Sequence, residues 1–337
     1  MSKKKLFVAS AICVAVGSVV ALSGCSIMGF DLRNLDSRSV QTKEYQIDQQ
    51  FNNIAIDRDS ANVRFIVAQD DAVKVVSKEK QRQESAVSVQ DGTLTIATQN
   101  TRKWYDYMFN SKETSVEVYL PATVCVNLTV KGATGDVYLP QNLSFGAVDI
   151  DISTGDVYVS SPAMQSLSLD LSTGDVQIAN TTVANGISIQ LSTGDIEMQG
   201  VTAQSLTLQT TTGGMDLENI TVAGALQAKR TTGEADLENV QCGELSLVSD
   251  TGSVEMKNVV ATQKMYVETS TGDVEFSDID APEIVITTDT GDVEGSLQSG
   301  KIYTYETSID KVHLPAHGDN GTCYIKTNTG DIRITVR

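Results

Sequence analysis

Aspartate recurs one place after a glycine at Asp136, Asp156, Asp175, Asp195, Asp273, Asp292 and Asp331. Glu234 keeps the charge at one further copy, whereas Gly214, Ser253 and Lys311 break it. Carboxylates stacked one strand spacing apart repel, so such a column invites either a cation or backbone N–H groups. Calcium needs six to eight oxygens, and the Gly-Gly-x-Gly-x-Asp type of calcium repeat is absent from the sequence. The aspartates are therefore expected first as turn caps, with Asp136, Asp156, Asp175 and Asp195 as the cation ligands if one binds. The threonine before each glycine sits in a turn, so hydroxyl bonding along the stack is expected over an ice-binding face.

A second cluster, Lys103 to Phe109, brings together Trp104, Tyr105, Tyr107 and Phe109. Such aromatics either anchor a sugar or protein partner or fold over an open end as a hydrophobic cap. Catalysis has less to stand on. The only two histidines are His313 and His317, and no Ser-His-Asp or Cys-His constellation can be assembled with them. Cys125, Cys242 and Cys323 form no C-x-x-C pair and no metal spacing, and the bland buried-thiol expectation suits Cys323. No catalytic residue, no cofactor and no metal site is assigned.

The elements that position these residues are repeats. The turn glycines Gly135, Gly155, Gly174, Gly194, Gly213, Gly233, Gly252, Gly272 and Gly291 follow at alternating spacings of 20 and 19, and Gly330 comes two periods later. Ser308-Ile309-Asp310-Lys311-Val312 stands where the missing copy belongs. Each period holds two alternating runs, such as Val176-Gln177-Ile178 after the turn and Leu167/Leu169/Leu171 before it, and often a lone apolar residue such as Val201 or Ile220. Outer members are apolar and the middle ones polar, the pattern of strands with one buried face. The period is too short for a strand plus a full helix, so the fold class is all-β. The expected architecture is a parallel β-solenoid of 19- to 20-residue rungs with an irregular β cap at its N-terminus. Asp91-Gly92 is a hairpin turn inside that cap. The final strand, Ile332 to Arg337, is expected at the open end, where its two arginines would discourage edge pairing.

Residues 1–25 read as a lipoprotein signal peptide. Lys3 to Lys5 are followed by an apolar stretch to Leu22 and then Leu22-Ser23-Gly24-Cys25, in which Cys25 would be lipidated. An uncleaved anchor is the alternative. Residues 26–44 form a tether, 45–131 the irregular rungs and cap, and 132–337 the regular solenoid. This places the body at the cell membrane, lipid-anchored and extracytoplasmic. From Ala133 to Gly300 there are 25 acidic residues and 4 basic ones, and the chain carries a formal charge of −18. Such a surface repels phosphate, which excludes nucleic acid as a partner.

The Val-Tyr-Leu-Pro element (Val118 to Pro121), Asp-Gly-Thr-Leu-Thr-Ile (Asp91 to Ile96) and the Ser-Thr-Gly-Asp-Val repeats together resemble the putative-adhesin family of bacterial envelope proteins. The resemblance spans Phe51 to Arg337. It implies a right-handed parallel β-solenoid, membrane attachment and no catalytic residues to carry over. The expected function is a non-enzymatic, membrane-anchored adhesin-like or scaffold module that contacts a cell-wall glycan or an envelope protein. An envelope-stress sensor or regulatory accessory protein is the alternative, and a polysaccharide-active β-helix enzyme the lesser one.

Overall fold

The computed structural model describes residues 40–80, 83–100, 114–308 and 311–337. Among them every regular element is a strand. The N-terminal part holds β1 (Val40–Ile47), β2 (Asn53–Ser60), β3 (Asn62–Val67), β4 (Val73–Lys80), β5 (Gln83–Gln90), β6 (Thr93–Asn100), β7 (Ser115–Leu120), β8 (Val126–Thr134) and β9 (Val137–Leu139). The next rungs hold β10 (Phe145–Thr154), β11 (Val157–Val159), β12 (Ala163–Met164), β13 (Ser166–Thr173), β14 (Val176–Ala179), β15 (Thr182–Thr193), β16 (Ile196–Gln199) and β17 (Thr202–Thr212). Three nearly continuous rungs follow: β18 (Met215–Thr232), β19 (Ala235–Thr251) and β20 (Val254–Thr271). The last are β21 (Val274–Ile279), β22 (Glu283–Thr290), β23 (Val293–Leu297), β24 (Ile302–Thr307), β25 (Val312–His313), β26 (Thr322–Thr329) and β27 (Ile332–Val336).

Equivalent strands pair in parallel from rung to rung, giving the expected β-solenoid. One ladder runs β8–β10–β13–β15–β17 and on through the second halves of β18, β19 and β20 to β22. A second runs β9–β11–β14–β16 and on through their first halves to β21 and β23. A short third ladder links Met164, Val183, Ala203, Val222, Cys242 and Ala261. The alternating apolar residues point inward, and Leu167, Leu169, Leu171, Val176, Ile178, Val201 and Ile220 are all buried. Each interior rung thus buries apolar groups that its two neighbours cover, the main driving force for stacking.

The turn explains the glycines. Gly194 has φ of 137°, a conformation that L side chains rarely adopt. A Cβ there would also come closer than 3.0 Å to the carbonyl oxygen of Gly174 in the previous rung. Backbone conformation and rung-to-rung contact both demand glycine, so the motif repeats at each corner. A second corner six residues on escaped the sequence reading. Asn180, Asn219, Asn239, Asn258 and Asp278 take φ of 52° to 57°, with Gly200 in the same place. Asparagine tolerates this left-handed region better than most residues.

Both ends depart from simple coiling. Ser60-Ala61-Asn62-Val63 forms a disguised turn, and β2–β3 lies between β6–β7 on one side and β8–β9 on the other. Antiparallel strands close that end, with β5 on β6, and β4 between β7 and β1. Asp91 and Gly92, at φ of 50° and 72°, make the expected hairpin turn. Strand β1 begins at Val40, within the stretch read as tether. At the other end the expected order is corrected. Strand β26 lies between β22 and β24, and β27 between β23 and β25. Gly330 therefore stacks on Gly291, and the start of the final strand, at Ile332 and Arg333, is covered by β25. Its first arginine, Arg333, lies between β23 and β25 and pairs with Glu294 instead of guarding an edge. Ile309 and Asp310, the middle of the degraded repeat, lie outside the described residues.

Candidate binding surfaces

The aspartate column works as a ladder of caps. Asp136 Oδ1 accepts the backbone N–H of Asp156 at 3.1 Å, Asp156 that of Asp175 at 2.9 Å, and Asp175 that of Asp195 at 3.0 Å. Asp195 accepts from Gly214 at 2.7 Å, Asp273 from Asp292 at 2.8 Å, and Asp292 from Asp331 at 2.7 Å. Asn62 opens the series, its Oδ1 accepting the N–H of Asp136 at 3.0 Å. The outer oxygens of Asp136 and Asp156 also accept the hydroxyls of Tyr138 and Tyr158, both at 3.1 Å. Burial and the bond to Asp156 push the Tyr158 phenol up to about 12. No group of three or more His, Cys, Asp or Glu side chains is placed to hold a metal among the described residues.

The asparagine corner has its own ladder, in which Asn239 Nδ2 donates to Asn219 Oδ1 at 3.1 Å and Asn258 Nδ2 to Asn239 Oδ1 at 2.9 Å. Beneath the glycine corners runs an inward column that changes character along the rod. It reads Ile152, Leu171 and Leu191, then Thr210, Arg230, Ser249, Thr269, Thr288 and Thr327, all buried. Thr269, Thr288 and Thr327 donate to the carbonyls of Gly252, Gly272 and Gly291. Arg230 donates to Ser249 Oγ at 3.0 Å and to the Ser253 carbonyl at 2.6 Å, and burial lowers its guanidinium to about 10. Arg58 occupies the same column in the N-terminal cap, also lowered by burial, and bonds Ser85 Oγ.

The outer faces are where a partner can be met. On the second ladder Glu197, Asp216, Asp236, Glu255, Glu275 and Glu294 stand side by side on successive rungs. Burial, then Glu255 and Asp216, raise the Asp236 carboxyl, against the opposing pull of Arg230. Towards the N-terminus the same face turns aromatic and basic: Arg64 lies 4.4 Å from the Tyr138 ring centre, and Tyr138 stacks on Tyr158 at 4.8 Å. Those tyrosine faces are occupied by their neighbours, so they hold rungs together before they hold a ligand. At the far end a shallow groove of about 650 Å³ is lined by Thr262, Asp280, Pro282, Ser299, Lys301 and Asn320. The Lys301 ammonium is buried there between Asp280, at 2.5 Å, and the Asn320 carbonyl, at 2.6 Å.

The remaining sequence candidates are dispersed. His313 is exposed on β25. His317 Nδ1 accepts the backbone N–H of Tyr303 at 3.1 Å, filling a place on the outer edge of β24. The three described cysteines are free, and burial pushes the Cys242 and Cys323 thiols up to about 11 and about 12, which keeps them protonated. Cys25 and the aromatic run Trp104, Tyr105, Tyr107 and Phe109 lie outside the described residues, the latter between β6 and β7. Among the described residues no helix is long and apolar enough to cross a membrane.

The Toastrack DUF4097 family model matches residues 51–241 and 226–337. Solved structures similar to this chain include a putative adhesin from Bacteroides fragilis, 15% identical over 88% of this chain and 97% of that one, with a TM-score of 0.36. A putative lipid binding protein from Parabacteroides distasonis is 14% identical over 75% and 96%, with a TM-score of 0.44. A putative adhesin from the same organism is 12% identical over 77% and 97%, again with a TM-score of 0.44. No curated protein matches.

Proposed function

We propose, from the premise that the chain belongs to the Toastrack DUF4097 family, that it is a non-enzymatic binding module held on the outer side of a cell membrane by a lipid on Cys25. The observation that carries this reading is the consumption of reactive groups by the fold. The column carboxylates cap the next rung, His317 caps an edge strand, and the buried thiols stay protonated. What the rod offers is area: long faces suited to an extended partner, not a cleft that gathers acid, base and nucleophile. Its partner is a cell-wall glycan or an envelope protein that tolerates the acidic stripe.

Two measurements test this. Full-length protein should take up an alkyne fatty acid and fractionate with membranes, and Cys25→Ala should abolish both. The released body should sediment with isolated cell-wall material or with a membrane-protein fraction. A body that sediments with neither, or that turns over a polysaccharide, would overturn the binding-module reading.

A further inference from the structure

The rung that comes last in sequence is the second to last in space. Its flanking strands hold a register relation that makes this arrangement exchangeable. Thr322 pairs with Glu283 of β22 on one side and with Ile302 of β24 on the other. The same double pairing joins Cys323 to Ile284 and Tyr303, Ile325 to Ile286 and Tyr305, and Thr327 to Thr288 and Thr307. The slot between β22–β23 and β24–β25 therefore has two walls in one register, and the rung within it matches both.

The lid over that slot is slight. Strand β25 spans two residues, and the two large hydrophobics most exposed among the described residues, Ile302 and Tyr305 at 51% each, both sit on β24. The slotted rung is joined to β25 by residues 314–321, which carry Pro315, Gly318 and Gly321. The matching rung at the other end, β2–β3, is tied on both sides by the segments that lead to β1 and β4.

We infer that this slot is an exchange site for a second copy of the chain: β26–β27 of one copy occupies the slot of another, and the reverse. Exchange replaces each contact with an identical one, so the linker and the protein concentration decide the balance. The shared register lowers the barrier further, because an emptied slot can close with Ile284 beside Tyr303 and Ile286 beside Tyr305. The linker opposes exchange, since His317 and Gly318 clamp the outer edge of β24 through Tyr303 N–H and the Lys301 carbonyl.

The test uses the full chain carrying Cys125→Ser, Glu294→Cys and Arg333→Cys. Positions 294 and 333 are register partners on β23 and β27 whose side chains meet. Light and ¹⁵N-labelled protein are mixed, unfolded, refolded over a range of concentrations and oxidised, and the 294–333 disulfide peptides are weighed. Exchange predicts mixed light–heavy disulfides in a dimer fraction that grows with concentration. Disulfides formed only within one chain at every concentration would overturn it, and so would a folded protein with no 294–333 disulfide. Thr287→Cys with Lys326→Cys, register partners on β22 and β26, repeats the experiment if the first pair fails to fold.

Discussion

At the residue scale the column aspartates act as acceptors, and Asn62 shows that an amide oxygen does the same work. Asp175→Ala should lower unfolding free energy by about 1 kcal/mol, the net worth of one hydrogen bond, while Asp175→Asn should lose little. Urea titration of the two variants decides it. A role in cation binding would instead penalise both changes and make the melting temperature fall with chelator. The asparagine corner offers a second comparison. At Asn239, φ is 55° and the amide links two rungs. Asn239→Gly keeps the conformation and loses two ladder hydrogen bonds, costing about 2 kcal/mol. Asn239→Ala adds left-handed strain and should cost about 1–2 kcal/mol more. The glycine corner was legible because glycine has no substitute where two backbones meet. The asparagine corner was hidden because Asn, Asp and Gly share it, so no single letter repeats.

At the scale of the strand, a flat parallel face sets like charges side by side. Asp236 bears this most visibly, its carboxyl raised by burial and by Glu255 and Asp216. A raised folded-state value means that the folded chain binds the proton more tightly than the unfolded one. The stabilisation is therefore full below the ordinary carboxylate value of about 3.9 and is lost as pH rises through the folded value. Asp236→Asn should raise the melting temperature at neutral pH and give no advantage at acid pH, as paired thermal melts would read. The rungs themselves were legible in the sequence, because inward apolar residues such as Leu167 and Leu169, then Ile187 and Ile189, alternate with wetter positions from copy to copy. The polar column beneath the corners was not, since Thr210 or Ser249 looks like any surface hydroxyl until a rung covers it.

For the whole molecule, position in sequence and position in the rod part company at both ends. Period and register belong to local chemistry, so the sequence displays them. Which rung lies outermost depends on how a chain end folds back, and no residue type marks that. The arginines of the final strand suggested an edge, yet Arg333 sits beside Glu294 with strands on both sides. Amide exchange should expose this order directly. Strand β26, paired along both edges, should exchange more slowly than β24, and β2, enclosed by β6 and β8, more slowly than β5, which pairs with β6 alone among the described residues. Faster exchange in β26 than in β24 would contradict the enclosed arrangement.

The folded-back ends also bear on how such a rod changes length over generations. A rung duplicated at either extremity would land in a position already shaped for something else, with a lid on one side and a tuck on the other. Copies gained or lost between Gly155 and Gly272, in steps of one period or better of two, would leave both closures untouched and both ladders in phase. Length is then free to drift in the interior while the extremities are held, and homologues of different size should align at their ends and differ by whole rungs in the middle.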